Sequence, residues 1–215
     1  MFSIDCFKRI KRGPRLDGHV YRVNGRIEER WLINRKLHRL HGPAVIVYYD
    51  DGTRIGESWF IKGQRCRAYG PVATSYYPDG VIKKDESWYK NGNLHRSSGP
   101  AETSYYENGM KREEGWYIDF KLHRATGPAA TEYYDNGMTK EEGWYICGEL
   151  HRLDGPAVTL YYPNGKIKEE GWYIDEELHR LTGPAVTVYY PDGVMKRKEA
   201  WFVKGKRMKS YEYEK

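Results

Sequence analysis

Five histidines recur at the same place in a repeating pattern: His38, His95, His123, His151 and His179. Imidazole is the commonest protein ligand for transition metals, so the row first invites a zinc reading. Equivalent residues of successive repeats in a sheet lie roughly 9.6 Å apart, two strand spacings. Zinc ligands must each approach to about 2.1 Å, so neighbouring members of the row cannot share an ion. The expectation is that these imidazoles are structural, packing on a Trp face and bonding to a neighbouring strand or turn, with no metal and no cofactor.

Glutamate and a basic residue recur in the same way. Glu29, Glu57, Glu86, Glu114, Glu142, Glu170 and Glu199 each stand two residues before a tryptophan, and Arg39, Arg67, Arg96, Arg124, Arg152, Arg180 and Lys209 stand eight after one. Acid–base catalysis needs two carboxylates in unlike environments, whereas a row gives every copy much the same one. Charge or hydrogen-bond ladders tying turns to strands are expected instead. No Gly-rich phosphate loop, nucleophile elbow or zinc-finger spacing is present, and no cysteine has a distinctive histidine partner. The chain reads as a non-enzyme without a small-molecule substrate.

These rows are positioned by a repeat. All seven tryptophans, Trp31, Trp59, Trp88, Trp116, Trp144, Trp172 and Trp201, are separated by 28, 29, 28, 28, 28 and 29 residues. A fixed period of this size marks units that stack on their neighbours rather than fold alone. A Gly-Pro pair follows each of the first six tryptophans, at Gly42, Gly70, Gly99, Gly127, Gly155 and Gly183, and a second glycine comes at Gly52, Gly80, Gly109, Gly137, Gly165 and Gly193. Only the step from that second glycine to the next tryptophan varies, so the one-residue insertions fall in one connection.

Asn or Asp before the second glycine, between Tyr- and Val-rich runs, is a hairpin signal. A further turn follows each tryptophan, as at Lys62-Gly63, Asn91-Gly92, Cys147-Gly148 and Lys204-Gly205. Each repeat therefore reads as two strands and two turns. If the second turn has two central residues, Trp144 lies opposite His151 and Tyr145 opposite Leu150, which puts the pairs on different faces. Neither strand carries an apolar stripe at helical spacing.

The fold class expected is all-β, an elongated twisted antiparallel meander of stacked hairpins in about seven repeats. Roughly fourteen strands at about 4.8 Å each would extend on the order of 65 Å. Residues 1–17 read as a basic N-terminal cap, 18–208 as one array, and 209–215 as an edge strand or tail. A mean hydropathy of −0.86 with 20 tyrosines and 7 tryptophans argues against a thick aliphatic core.

The formal charge of +6 sits at the ends. Residues 1–30 and residues 191–215 each carry eight basic and four acidic groups, which leaves the middle slightly acidic. Lys8, Arg9, Lys11 and Arg12 at one end, with Lys204, Lys206, Arg207 and Lys209 at the other, could dock on acidic protein, nucleic acid or anionic lipid. The same lysines on a terminal strand also blunt a sheet edge. Three cysteines, Cys6, Cys66 and Cys147, suggest no disulfide framework and a reducing compartment. With no apolar leader or spanning stretch, the expected place is intracellular, neither secreted nor transmembrane.

The unit Trp144-Tyr-Ile-Cys-Gly-Glu-Leu-His-Arg-Leu-Asp-Gly-Pro-Ala-Val-Thr-Leu-Tyr-Tyr-Pro-Asn-Gly165, followed by Lys-Ile-Lys-Glu-Glu-Gly-Trp, resembles the variant MORN repeats. Related forms are abundant in giant DNA viruses, including marseillevirus-like ones, and occur in bacterial proteins labelled as antitoxin components. The resemblance covers residues 18 to about 208. It implies an interaction scaffold of stacked β-hairpins that binds protein partners or itself within a larger assembly, in the host cytoplasm or a virion. Binding to anionic lipid or nucleic acid through the basic ends is the second reading, and glycan stacking on exposed aromatics a third.

Overall fold

The computed structural model describes residues 17–214. Its elements are 26 β-strands, with no helix among the described residues. They fall into two compact units, one running through Arg96 together with Ala101–Gly109, the other taking Ser97–Pro100 and the chain from Met110. The main sheet of the first unit takes Asp17–Val23, Arg26–Ile33, Val45–Tyr49, Arg54–Ser58, Ala73–Tyr76, Lys83–Ser87 and Glu102–Tyr105 in chain order, every pair antiparallel. The second unit repeats the plan with Lys111–Gly115, Ala130–Tyr133, Thr139–Gly143, Val158–Tyr161, Ile167–Gly171, Val186–Tyr189, Lys196–Val203 and Lys206–Glu212. Both are meanders of hairpins.

The two strands expected of each repeat become four in a typical one. The second strand of a typical repeat does not run through its tryptophan but leaves the main sheet there. Trp144 donates its N–H to Ala157 O (2.7 Å), and its carbonyl accepts from His151 N (3.0 Å). The chain beyond then forms a separate two-stranded hairpin, Tyr145–Ile146 with Glu149–Leu150. These short hairpins bond to one another: Arg152 N donates to Tyr173 O and Glu176 N to Leu150 O. Each repeat thus contributes to two ladders. Histidine falls opposite tryptophan, and Tyr145 opposite Leu150, as the spacing required.

The main-sheet turns are closed by the second glycine. In the shorter form Tyr134 N donates to Met138 O while Gly137, at φ +82, takes the left-handed turn, and the Asn136 side chain caps Met138 N. The one-residue insertions loop outward as Val81 and Val194, both exposed. There an aspartate replaces asparagine, and its carboxylate accepts two backbone N–H groups, Asp79 from Val81 and Ile82, and Asp192 from Val194 and Met195. Small residues fill the core of each unit: Ala44 and Ala101 in the first, and Ala129, Ala157 and Ala185 in the second, have no exposed surface. These alanines follow the Gly-Pro pairs, which explains how a sequence so poor in large aliphatics still packs.

Candidate interaction surfaces

The charged end of the basic residue eight after each tryptophan lies over that tryptophan's ring. Guanidinium-to-centroid distances are 3.8 Å for Arg39 on Trp31, 4.1 Å for Arg67 on Trp59, 3.7 Å for Arg96 on Trp88 and 3.9 Å for Arg124 on Trp116. They are 3.8 Å for Arg152 on Trp144 and for Arg180 on Trp172, and Lys209 sits 4.4 Å from Trp201. The fork also grips the next turn, since Nη1 of Arg152 donates to Pro156 O (3.2 Å) and Nη1 of Arg180 to Pro184 O (3.1 Å). Glycine before the proline makes room: a Cβ on Gly155 would lie 2.5 Å from Arg152 Cζ. The expectation that imidazole covers the Trp face is therefore corrected to guanidinium, which is planar and carries the cation–π attraction.

Histidine instead joins one repeat to the next turn. Nδ1 of His38 accepts from Lys62 N (3.1 Å), that of His123 from Cys147 N (3.1 Å) and that of His179 from Lys204 N (3.2 Å). In the His151 repeat, Nδ1 lies 2.8 Å from Asp175 Oδ1. Burial, with help from the Lys62 charge, pushes the His38 pKa down, so this imidazole stays neutral and accepting. His95 takes the same backbone position, its N–H donating to Trp88 O.

Glutamate before tryptophan receives the hydroxyl of a tyrosine from the following repeat, Tyr105 to Glu86, Tyr133 to Glu114, Tyr161 to Glu142 and Tyr189 to Glu170, and Tyr213 after the terminal strand does the same for Glu199, all 2.6–2.9 Å. A lysine three residues earlier pairs with Glu86, Glu114 and Glu199. Burial and the bond to glutamate push Tyr161 and Tyr189 up to about 12. The second Tyr of several Tyr-Tyr pairs reaches onward, with Tyr134 donating to Tyr161 O and Tyr162 to Tyr189 O (both 2.8 Å). Sequence reasoning missed this coupling, although Tyr-Tyr at fixed register was its signal. It also missed why glycine precedes tryptophan at Gly115, Gly143 and Gly171: a Cβ there would lie 2.4, 2.6 and 2.8 Å from the ring of Tyr117, Tyr145 and Tyr173.

Of the basic ends, Lys8, Arg9, Lys11 and Arg12 lie outside the described residues. At the other end Lys209 is committed to Trp201, while Lys204 occupies a left-handed turn position at φ +48. Lys206 lies opposite Val203 and Arg207 opposite Phe202 on the terminal strand. The four are not gathered into one patch by any bond or ladder among the described residues. Cys66 is buried and disulfide-bonded, whereas Cys147 is exposed and free. Among the described residues no group of three or more His, Cys, Asp or Glu could hold a metal, and no helix is long and apolar enough to cross a membrane.

Large apolar side chains are among those left exposed, Tyr69 and Val81 in the first unit included. In the second unit Leu153 and Leu181, each just after the stacked arginine and one repeat apart, are 75% and 76% exposed. Phe120, 58% exposed, sits at φ +66 in a hairpin turn where four repeats have glycine, at Gly63, Gly92, Gly148 and Gly205, and where Arg35 and Glu176 share the left-handed angle at φ +60 and +66. A bulky residue in that region is strained. In the first unit a shallow trough of about 430 Å³ crosses the strands over Val45, Val47, Ala73 and Ser75, with Glu57, Asp85 and Glu102 among its lining.

No curated protein matches this chain. The family described as MORN repeat variant matches residues 157–175, from the core alanine after Gly-Pro through Trp172 to the next turn, a segment whose contacts recur in the other repeats. Such repeats are generally protein- or membrane-binding modules of a non-catalytic type, and over that segment this chain is MORN-like.

Proposed function

We propose that the chain is a non-enzymatic scaffold that binds a protein partner through the exposed apolar side chains of its second unit, as a structural or assembly component of a larger complex. The observation that carries this reading is Phe120, an aromatic held solvent-exposed at a strained backbone angle where glycine would serve the turn better. Strain of this kind persists where function uses it, and exposed aromatics are the residues that anchor interfaces. Leu153 and Leu181 extend the same logic at a repeat spacing. The likeness to repeats abundant in giant DNA viruses supports a place in viral assembly, in the host cytoplasm or the virion. The basic ends give the second reading less support, because Lys209 is already occupied by Trp201.

The test is size exclusion with light scattering of the protein mixed with native extract, at about 50 mM and about 500 mM salt. A complex that survives the higher salt and is lost in Phe120→Gly combined with Leu153→Asp supports the scaffold. Association only at low salt, with lipid or nucleic acid in the peak, transfers the function to the basic ends.

A further inference from the structure

The two terminal strands of the sheets differ in how they finish. At the C-terminal end Lys206–Glu212 pairs with Lys196–Val203 through a bulge between Trp201 and Phe202, which leaves Met208 exposed between Arg207 and Lys209. Tyr213 then supplies what a following repeat would supply, donating its hydroxyl to Glu199 and accepting Tyr190's at its carbonyl. Bulge, lysines and a completed hydrogen-bond set are the devices that stop further strand addition.

Asp17–Val23 has none of them. It is a strand whose one neighbour among the described residues, Arg26–Ile33, pairs with it residue for residue without a register shift, and it contains no lysine or proline. Its turn, Asn24 and Gly25 at φ +51 and +70, is a two-residue hairpin turn, so Val23 and Arg26 form a hydrogen-bonded pair. Alternation then points the N–H and C=O of Asp17, His19, Tyr21 and Val23 at the neighbour, and those of Gly18, Val20 and Arg22 at the open edge. The other side of the neighbour agrees, since Trp31 N donates away from this strand to Ala44 O. Among the described residues nothing pairs with that edge, and Val20 is 67% exposed.

We propose that Asp17–Val23 pairs antiparallel with the same strand of a second copy, about a two-fold axis at Val20. Only residues whose backbone groups point outward can exchange bonds, and this register matches them: Val20 with Val20, and Gly18 with Arg22 on either side. Roughly six backbone hydrogen bonds result. His19 faces Tyr21 and Arg22 faces glycine, so no like charges meet. Moving the axis to Arg22 would set two guanidiniums opposite each other, which a sheet disfavours. A β-branched pair forms at the axis, where Val20 is otherwise left in water. Because the blunted C-terminal edge cannot accept this strand, the pairing is isologous and closes as a dimer instead of extending as a filament. It deepens the scaffold reading by naming a second copy as one partner, and it does not use the Phe120 surface.

The full chain is examined by light scattering from about 5 to about 200 µM, a range suited to an interface at the small end of the size scale. A dimer forming within that range is expected. Val20→Pro removes the outward N–H at the axis, at an edge position that tolerates proline, and Val20→Lys sets two ammonium groups opposite each other. Each should raise the dissociation constant at least about tenfold, with the circular dichroism spectrum unchanged, while Met208→Lys at the other edge leaves the dimer intact. Should Val20→Pro fail to fold, Val20→Lys carries the test. A monomer at every concentration, as when the chain's own preceding residues cover the edge, overturns the proposal. So does a dimer that a folded Val20→Lys leaves intact. A monomer that still enters the salt-resistant complex sinks the pairing and leaves the scaffold; a Val20-dependent dimer that enters none does the reverse.

Discussion

Replacing Gly155 with alanine should reverse the sign of its effect when Arg152 is removed. The φ of Gly155 is not left-handed, so alanine can take the backbone conformation, and its Cβ would lie 2.5 Å from Arg152 Cζ and 2.7 Å from Nε. A guanidinium is the mobile end of a long side chain and can swing away, which relieves the clash. Its departure forfeits the stack on Trp144 at 3.8 Å, about 0.5–2 kcal/mol, and the bond to Pro156 O at 3.2 Å, about 0.5–1.5 kcal/mol. Against this, alanine restricts the unfolded chain and returns about 0.4–1 kcal/mol. In the native background Gly155→Ala should therefore cost about 1–2 kcal/mol. In an Arg152→Ala background nothing is left to displace, and the same change should stabilise by about 0.4–1 kcal/mol. Urea unfolding of the four proteins, compared by midpoint at constant slope, reads the coupling directly. An equal effect in both backgrounds, with coupling below about 0.5 kcal/mol, would refute the staple.

Phe120→Gly should stabilise the fold by about 1 kcal/mol, by releasing an L-residue from the left-handed region, and thermal unfolding checks it; a loss of stability would mean that the ring packs structurally. At high pH, Tyr161 and Tyr189 have folded pKa values of about 12 against an ordinary 10.0. Their contribution is complete below pH 10 and is lost as pH rises through about 12, so an alkaline titration of unfolding midpoints should fall there, and Tyr161→Phe should flatten the fall. At low pH, Lys196 leads in holding Glu199 below the usual carboxylate range, and Lys83 with Tyr105 does so for Glu86 against the effect of burial. Their contribution is present above the unfolded value of 4.5 and declines as pH falls below it. Glu141 should act in the opposite direction: burial, then Glu132 and Glu169, raise its pKa, so Glu141→Gln should stabilise at neutral pH and lose that advantage in acid. The depressed His38 predicts a separate, earlier loss of stability as pH drops below 6.5, absent in His38→Gln if the amide oxygen still accepts from Lys62 N.

Periodicity made the architecture legible. A constant step between tryptophans, Gly-Pro at a fixed offset and Asn-Gly before each return strand led to antiparallel hairpins, the insertion site and the Trp144–His151 and Tyr145–Leu150 pairings, all present in the structure. It could not say which of two in-register residues would cover the tryptophan. His151 lies directly opposite Trp144 in the chain ladder, and the rule for cross-strand neighbours favours it. Arg152, one residue further and on a longer side chain, wins by combining a flat cation with a hydrogen bond to Pro156 O, a gain that only the glycine gap permits. The break of the strand at tryptophan was hidden for a related reason, because Gly-Trp-Tyr reads as continuous β sequence while Tyr145 folds back over Gly143. The candidate surface was the least visible part. Exposure of Phe120, Leu153 and Leu181 depends on what the ladders leave uncovered, and no single residue's type reveals that.

If the ladders hold the repeats together, the exposed apolar residues of the second unit are left to meet a partner. Hydrogen exchange of the isolated complex against the free protein measures this directly. The account predicts added protection at the turn around Asp119 and Phe120 and in the loops carrying Leu153 and Leu181, with the strands at Trp144 and Trp172 unchanged. Protection confined to Lys204–Lys209, with the Phe120 turn exchanging as in the free protein, would contradict it.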